Sequence, residues 1–269
     1  QVIYIFYKMD FKLLFYKKDG SFLFTNRIDW WKESARISAQ EWIYEECDIQ
    51  SLMQTKSVSI SIDNFRSTNV EDLSLLRKIL TADIKELGIV ETVIGSDILP
   101  KEIEQLIIGN NVKIDIDASQ FENLTYLNLL SYKSLRANIE NYFPKLEEVV
   151  VWHYNRKGYS DFNGLLFAKN AVTVQLIHTN VDSLMGLEQF SNLNSLEINM
   201  GKSLEDISSL FSVPQIKHVI LENCKKIKKI MDINRSISID RILFLKCGVI
   251  PYFKAEGVKV LDLYQTKME

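Results

Sequence analysis

The chain carries a hydrophobic beat of three residues that is interrupted, about every 22 residues, by a single step of two. Val181, Leu184, Leu187, Phe190, Leu193, Leu196 and Ile198 form one run. Ile207, Leu210, Val213, Ile216, Val219, Leu221, Cys224, Ile227 and Ile230 form the next. Ile233, Ser236, Ile239, Ile242, Phe244, Cys247 and Ile250 follow. A step of two puts side chains on one side of a strand, and a step of three matches a tight 3-10 turn. A strand with a tight helical return, repeated at fixed period, predicts a solenoid.

The unit aligns along much of the chain. It reads Ile103-x-x-Leu106-x-Ile108, Leu124-x-x-Leu127-x-Leu129, Leu146-x-x-Val149-x-Val151 and Ala171-x-x-Val174-x-Leu176. It continues as Leu193-x-x-Leu196-x-Ile198, Ile216-x-x-Val219-x-Leu221-x-x-Cys224, Ile239-x-x-Ile242-x-Phe244-x-x-Cys247 and Val258-x-x-Leu261-x-Leu263. First positions are spaced by 21, 22, 25, 22, 23, 23 and 19 residues. A weaker unit starts at Ile84, and Val58, Ile60 and Ile62 predict a strand before it.

This pattern resembles the leucine-rich repeat, in its short class as found in bacterial internalins and some eukaryotic phosphatase regulators. The resemblance covers roughly residues 80–269. It implies an α/β solenoid: a leucine-rich-repeat horseshoe with a parallel β-sheet on the concave face and short 3-10 or irregular turns on the convex face. Residues 56–269 would form about 8–9 repeats. The family's ninth-position Asn is mostly replaced, by Asn111, Tyr132, Tyr154, Thr179, Gly201, Cys224, Cys247 and Thr266. Irregular turns are expected where that ladder is lost.

Residues 1–55 read differently. Asp19-Gly20 between apolar runs predicts a hairpin. Ser38 with Glu41 forms a capping-box pattern ahead of a helix predicted over about 39–53. Trp30, Trp31 and Trp42 add aromatic weight. A hairpin-plus-helix cap over the first repeat is the expected role.

Alternation sends positions four and six of each repeat inward and positions three, five and seven outward. The outward row holds Tyr126 and Leu130, then Val150, Trp152 and Ile177, then His218, Ile220, Glu222, Leu243, Leu245 and Tyr264. His153 and His178 share position eight of successive repeats. A solvent-facing apolar row with Trp and Tyr is a candidate partner-binding face. Stacked imidazoles also offer a pH response, since both repel when charged. Position eight carries no carboxylate or Cys in other repeats, so no metal site is expected.

Composition narrows the function. A net charge of −3 argues against a general nucleic-acid binder. The apolar stretch Val2–Tyr16 is broken by Lys8, Asp10 and Lys12, so neither a signal core nor a membrane span is expected. A leader upstream of Gln1, or a start at Met9, stays open. Cys224 and Cys247 occupy one slot of adjacent repeats and read as buried thiols, with Cys47 apart, which suits a reducing cytoplasm. Lys225, Lys226, Lys228 and Lys229 flank an inward Ile227 and read as a solvated edge. The Asn123 and Asn234 acceptor motifs carry no weight in a cytosolic chain.

No catalytic motif and no cofactor-binding loop stands in the sequence, so no enzyme activity and no cofactor are expected. The expected function is a non-catalytic module binding a protein on its concave face, such as a bacterial inhibitor, immunity protein or adaptor. A surface or secreted adhesin and a self-assembling structural protein are the alternatives. A homodimer through the C-terminal edge strand is a further expectation.

Overall fold

The computed structural model describes residues 12–16, 22–25, 45–46, 57–62, 85–90, 99–109, 113–130, 136–155, 158–233 and 237–269. The chain falls into two compact units, residues 1–116 with 135–138, and residues 117–134 with 139–269.

In the first unit, β1 (Lys12–Tyr16) pairs antiparallel with β2 (Phe22–Thr25), which pairs antiparallel with β3 (Glu45–Glu46). On its other side β1 runs parallel to β4 (Ser57–Ile62), followed by β5 (Glu86–Val90) and β6 (Gln105–Ile108). The two expected early strands, at 58–62 and after Ile84, are therefore present. The expected helix over 39–53 is corrected at Glu45 and Glu46. They extend a sheet, because pairing with the open edge of β2 outweighs local helix propensity. The rest of that helix, the Asp19-Gly20 turn, the Ser38/Glu41 capping box, Cys47 and the three early tryptophans lie outside the described residues. β1 and β4, on either side of residue 55, pair in one sheet. A separate pair joins β7 (Lys113–Asp117) to β9 (Arg136–Glu140).

The second unit is a parallel sheet with short turns. Its strands are β8 (Tyr126–Leu129), β10 (Glu148–Trp152), β11 (Thr173–Ile177), β12 (Ser195–Asn199), β13 (His218–Glu222), β14 (Ile239–Ile250) and β15 (Val258–Met268), in that spatial order. Register follows the repeat without slippage through the strand cores. Val149, Val174, Leu196, Val219, Ile242 and Leu261 form one cross-strand row. The returns contain 3-10 turns at Phe162–Ala168, Leu187–Gln189 and Ser208–Ser212.

The three-residue beat is the core. Val181, Leu184, Leu187, Phe190, Leu193, Leu196 and Ile198 are all fully buried. Parallel strands joined by such short returns leave no room for a long helix, so the turn side chains supply the inner layer. Position six is fully buried in Leu129, Val151, Leu176, Ile198 and Leu221, but Leu263 of β15 is 37% exposed.

Two devices recur where the strands give way to the turns. Position eight is left-handed in six successive repeats: His153, His178, Met200, Asn223, Lys246 and Gln265 all have φ between 51° and 57°. That conformation turns each N–H onto the next strand. His153, His178, Met200 and Asn223 each donate at 2.8 Å to the position-seven carbonyl of the following repeat. The second device is a side-chain hydrogen bond from position nine. Cys224 Sγ donates to the Ile198 carbonyl (3.7 Å), Cys247 Sγ to Leu221 (3.1 Å) and Thr266 Oγ1 to Phe244 (3.2 Å). Each side chain reaches the position-six carbonyl one repeat back. Gly201 fits the same slot by size, since a Cβ there would meet Cys224 Sγ and Ile198 Cγ2 at 3.0 Å.

Candidate functional site

The outward face of the second unit divides in two. Around β8, β10 and β11 it is largely closed. Val150 is 0% and Ile177 9% exposed, although both were expected to face solvent. Both lie in outward rows of the register, Val150 opposite Gln175 and Ile177 opposite Trp152 and Asn199, and are buried there. Asn128 at the equivalent position of β8 is also fully buried, and its Nδ2 donates to the Tyr126 hydroxyl at 3.2 Å. Burial pushes the Tyr126 phenol above its ordinary range, against the hydrogen bond from Asn128, and the Glu148 carboxylate adds to the rise. Leu130 is half-buried.

Trp152 is half-buried and stacks on His178, with ring centroids 6.4 Å apart and planes 30° apart. His178 in turn stacks on His153 at 5.2 Å and 22°. The left-handed turn that holds both histidines at one position of adjacent repeats produces this stack. Among the described residues, Trp152 Nε1 and Asn128 Oδ1 are buried without a hydrogen-bond partner. Those residues contain no group of three or more His, Cys, Asp or Glu placed to hold a metal ion, and no helix long and apolar enough to cross a membrane.

Along β12 to β15 the face is open. Cross-strand register places Glu197, Ile220, Leu243 and Asp262 in one row. Asn199, Glu222, Leu245 and Tyr264 form the next row, and Ser195, His218, Arg241 and Val260 the third. Ile220, Leu243 and Leu245 are half-exposed, Val260 is 46% exposed and Tyr264 58%. Their inward neighbours Leu221, Ile242 and Phe244 are at most 1% exposed. On β13 and β14 the apolar row therefore lies back to back with a packed core, whereas on β15 the inward Leu261 is half-buried and Leu263 exposed. Arg241 Nη2 (2.6 Å) and Nε (2.8 Å) both donate to Asp262 Oδ2 across β14 and β15.

Glu197 and Asn199, absent from the sequence-based selection, belong to this face. Asn199 Nδ2 donates to Glu197 Oε1 at 2.8 Å. The alternation rule alone assigns both residues outward, but a polar pair on a strand carries no apolar signal.

The lysine run lies off this face. Ile227 is buried, Lys225 and Lys226 are exposed, and Lys228 and Lys229 pair with Glu205 (3.0 Å) and Asp206 (2.7 Å) of the preceding repeat. The two described cysteines are free and fully buried. Its hydrogen bond with Cys247, and then burial, push the Cys224 thiol well above its ordinary range. Comparison with models of protein families, with curated proteins and with solved structures finds no match.

Proposed function

We propose that this chain is a leucine-rich-repeat-type solenoid that works as a non-catalytic binding module. A protein partner docks on the outward strand face of β12 to β15. The observation that carries the reading is the apolar row of half-exposed Ile220, Leu243 and Leu245 with exposed Val260 and Tyr264, of which the part on β13 and β14 lies on strands whose opposite side is already packed. Such a row gains nothing for the core, and aromatic and aliphatic anchors on an open patch are what interfaces use. Buried, carbonyl-bound thiols support a binding role over a nucleophilic one and suit a reducing compartment. An inhibitor, immunity protein or adaptor fits this reading.

The test is affinity capture from lysate of the source cells with wild type and a Leu243→Glu/Tyr264→Glu variant. Circular dichroism confirms that the variant is folded. The reading expects a protein captured by wild type and lost by the variant. Equal capture by both, or none by either, refutes it.

A further inference from the structure

On the premise that this face binds a protein, we propose that its partner inserts a basic side chain, arginine or lysine, between β12 and β13, flanked by apolar residues that lie over β14 and β15. The warrant is an excess of acceptors. Glu197 and Glu222 sit diagonally on adjacent strands, with Asn199 directly beside Glu222 in the register. Diagonal neighbours on one sheet face lie about 7–8 Å apart, within reach of one long cation. All three side chains are half-buried.

Neither carboxylate has a lysine or arginine partner among the described residues. Glu197 receives only the Asn199 amide, and Glu222 only a long 3.5 Å contact from Asn223 Nδ2. With its amide committed to Glu197, Asn199 is left with a buried Oδ1 and no donor. The contrast with the rest of the unit is plain. Asp262, Asp206, Glu205 and Asp240 each hold a cation from a neighbouring repeat. Two carboxylates without a cation partner among the described residues ask for a donor with several N–H groups and no acceptor of its own. Guanidinium and ammonium are the side chains of that kind. A hard metal ion needs six or more oxygens, and no such group exists among the described residues.

Beside this acid corner the floor turns apolar. Ile220 adjoins Glu197, Leu245 adjoins Glu222, and Leu243 and Tyr264 continue outward. Strand spacing of about 4.8 Å puts Leu243 roughly 10 Å from Glu197, two or three residues along an extended segment. Arg241 and Asp262 neutralise each other at the far edge. That pair cancels at the edge, whereas Glu197 and Glu222 have no cation among the described residues.

The probe is a phage-displayed library of random 12-residue peptides, panned against the whole chain, with selected peptides measured by fluorescence anisotropy. The expected result is enrichment of an arginine or lysine two to three residues from apolar side chains. Glu197→Gln/Glu222→Gln should weaken binding about 10-fold or more, with a loss of salt dependence. Leu243→Glu should weaken it as strongly. Peptides lost by Leu243→Glu but indifferent to the Gln variant would overturn the basic side chain and leave the face intact. Peptides indifferent to both would overturn the face itself. Enrichment of acidic peptides or of none would overturn the proposal. So would a doubled mass by light scattering that Leu243→Glu halves, because a second copy would then be the occupant.

Discussion

Gly164→Ala tests how tightly the repeat turns are packed. Gly164 lies in the 3-10 turn Phe162–Ala168, and its backbone is not left-handed, so the glycine is there for space. A Cβ at this position would fall well inside contact distance of the Tyr154 hydroxyl and within 3.0 Å of Tyr159 Cβ. Tyr154 is 1% exposed and donates to the Asp161 carbonyl at 2.9 Å, so its ring has no room to retreat. Overpacking of this kind costs about 1–3 kcal/mol, and the contact with a fixed hydroxyl argues for the upper part. Restricting the unfolded chain returns about 0.4–1 kcal/mol. The net loss should be about 1–2 kcal/mol, read from urea unfolding followed by circular dichroism. The Tyr154→Phe background removes the clashing oxygen at the cost of one buried hydrogen bond, about 1–1.5 kcal/mol. There the alanine should cost at least about 1 kcal/mol less. A neutral or stabilising Gly164→Ala, or two costs that add within about 0.5 kcal/mol, would refute the packing argument.

Other expectations follow from the same turns. Met200→Gly should stabilise by about 0.5–1 kcal/mol, because Met200 holds a left-handed φ of 57° and is an exposed side chain with little packing to lose. A drop in the urea midpoint would count against that. In the folded protein Cys224 and Cys247 should resist a thiol reagent that labels both in urea; rapid labelling without denaturant would show the slots to be open. The Asp117 carboxylate, held by the hydroxyl of Ser119 and then by the amide of Asn141, has its pKa lowered to about 2 from 3.8. A depressed folded pKa means a contribution present above about pH 4 and lost as pH falls toward 2. An NMR titration should show this midpoint and its rise in Asn141→Ala; an unchanged midpoint in the variant would remove Asn141 as a cause.

The strands and their register were readable because each repeat spells them: one step of two among steps of three, with Val219, Ile242 and their counterparts in line. The turns were less readable. Position eight holds His, Met, Asn, Lys and Gln, and only a backbone angle unites them. Likewise Cys224, Cys247 and Thr266 share no side-chain class, yet each can donate to a carbonyl one repeat back. Alternation put Val150 and Ile177 on the outward face but said nothing of what surrounds them there, which is why their burial was not foreseen. At Glu45 and Glu46 a local helix pattern competed with a distant strand edge, a contest no short window can decide. The acid corner escaped notice for another reason: its signal is the absence of cations around Glu197 and Glu222 among the described residues, a property of three-dimensional neighbours.

The most direct measurement is hydroxyl-radical footprinting of the chain with and without the partner it captures. Four exposed reporters of similar accessibility separate the surfaces: Tyr264 at 58% on the open strand face, and Met185 at 54%, Met231 at 55% and Tyr252 at 66% away from it. Docking across β12 to β15 predicts that oxidation of Tyr264 falls several-fold while the two methionines and Tyr252 react as before. Protection of Met185 or Met231 with Tyr264 unchanged would contradict the account and move the binding surface to the turns.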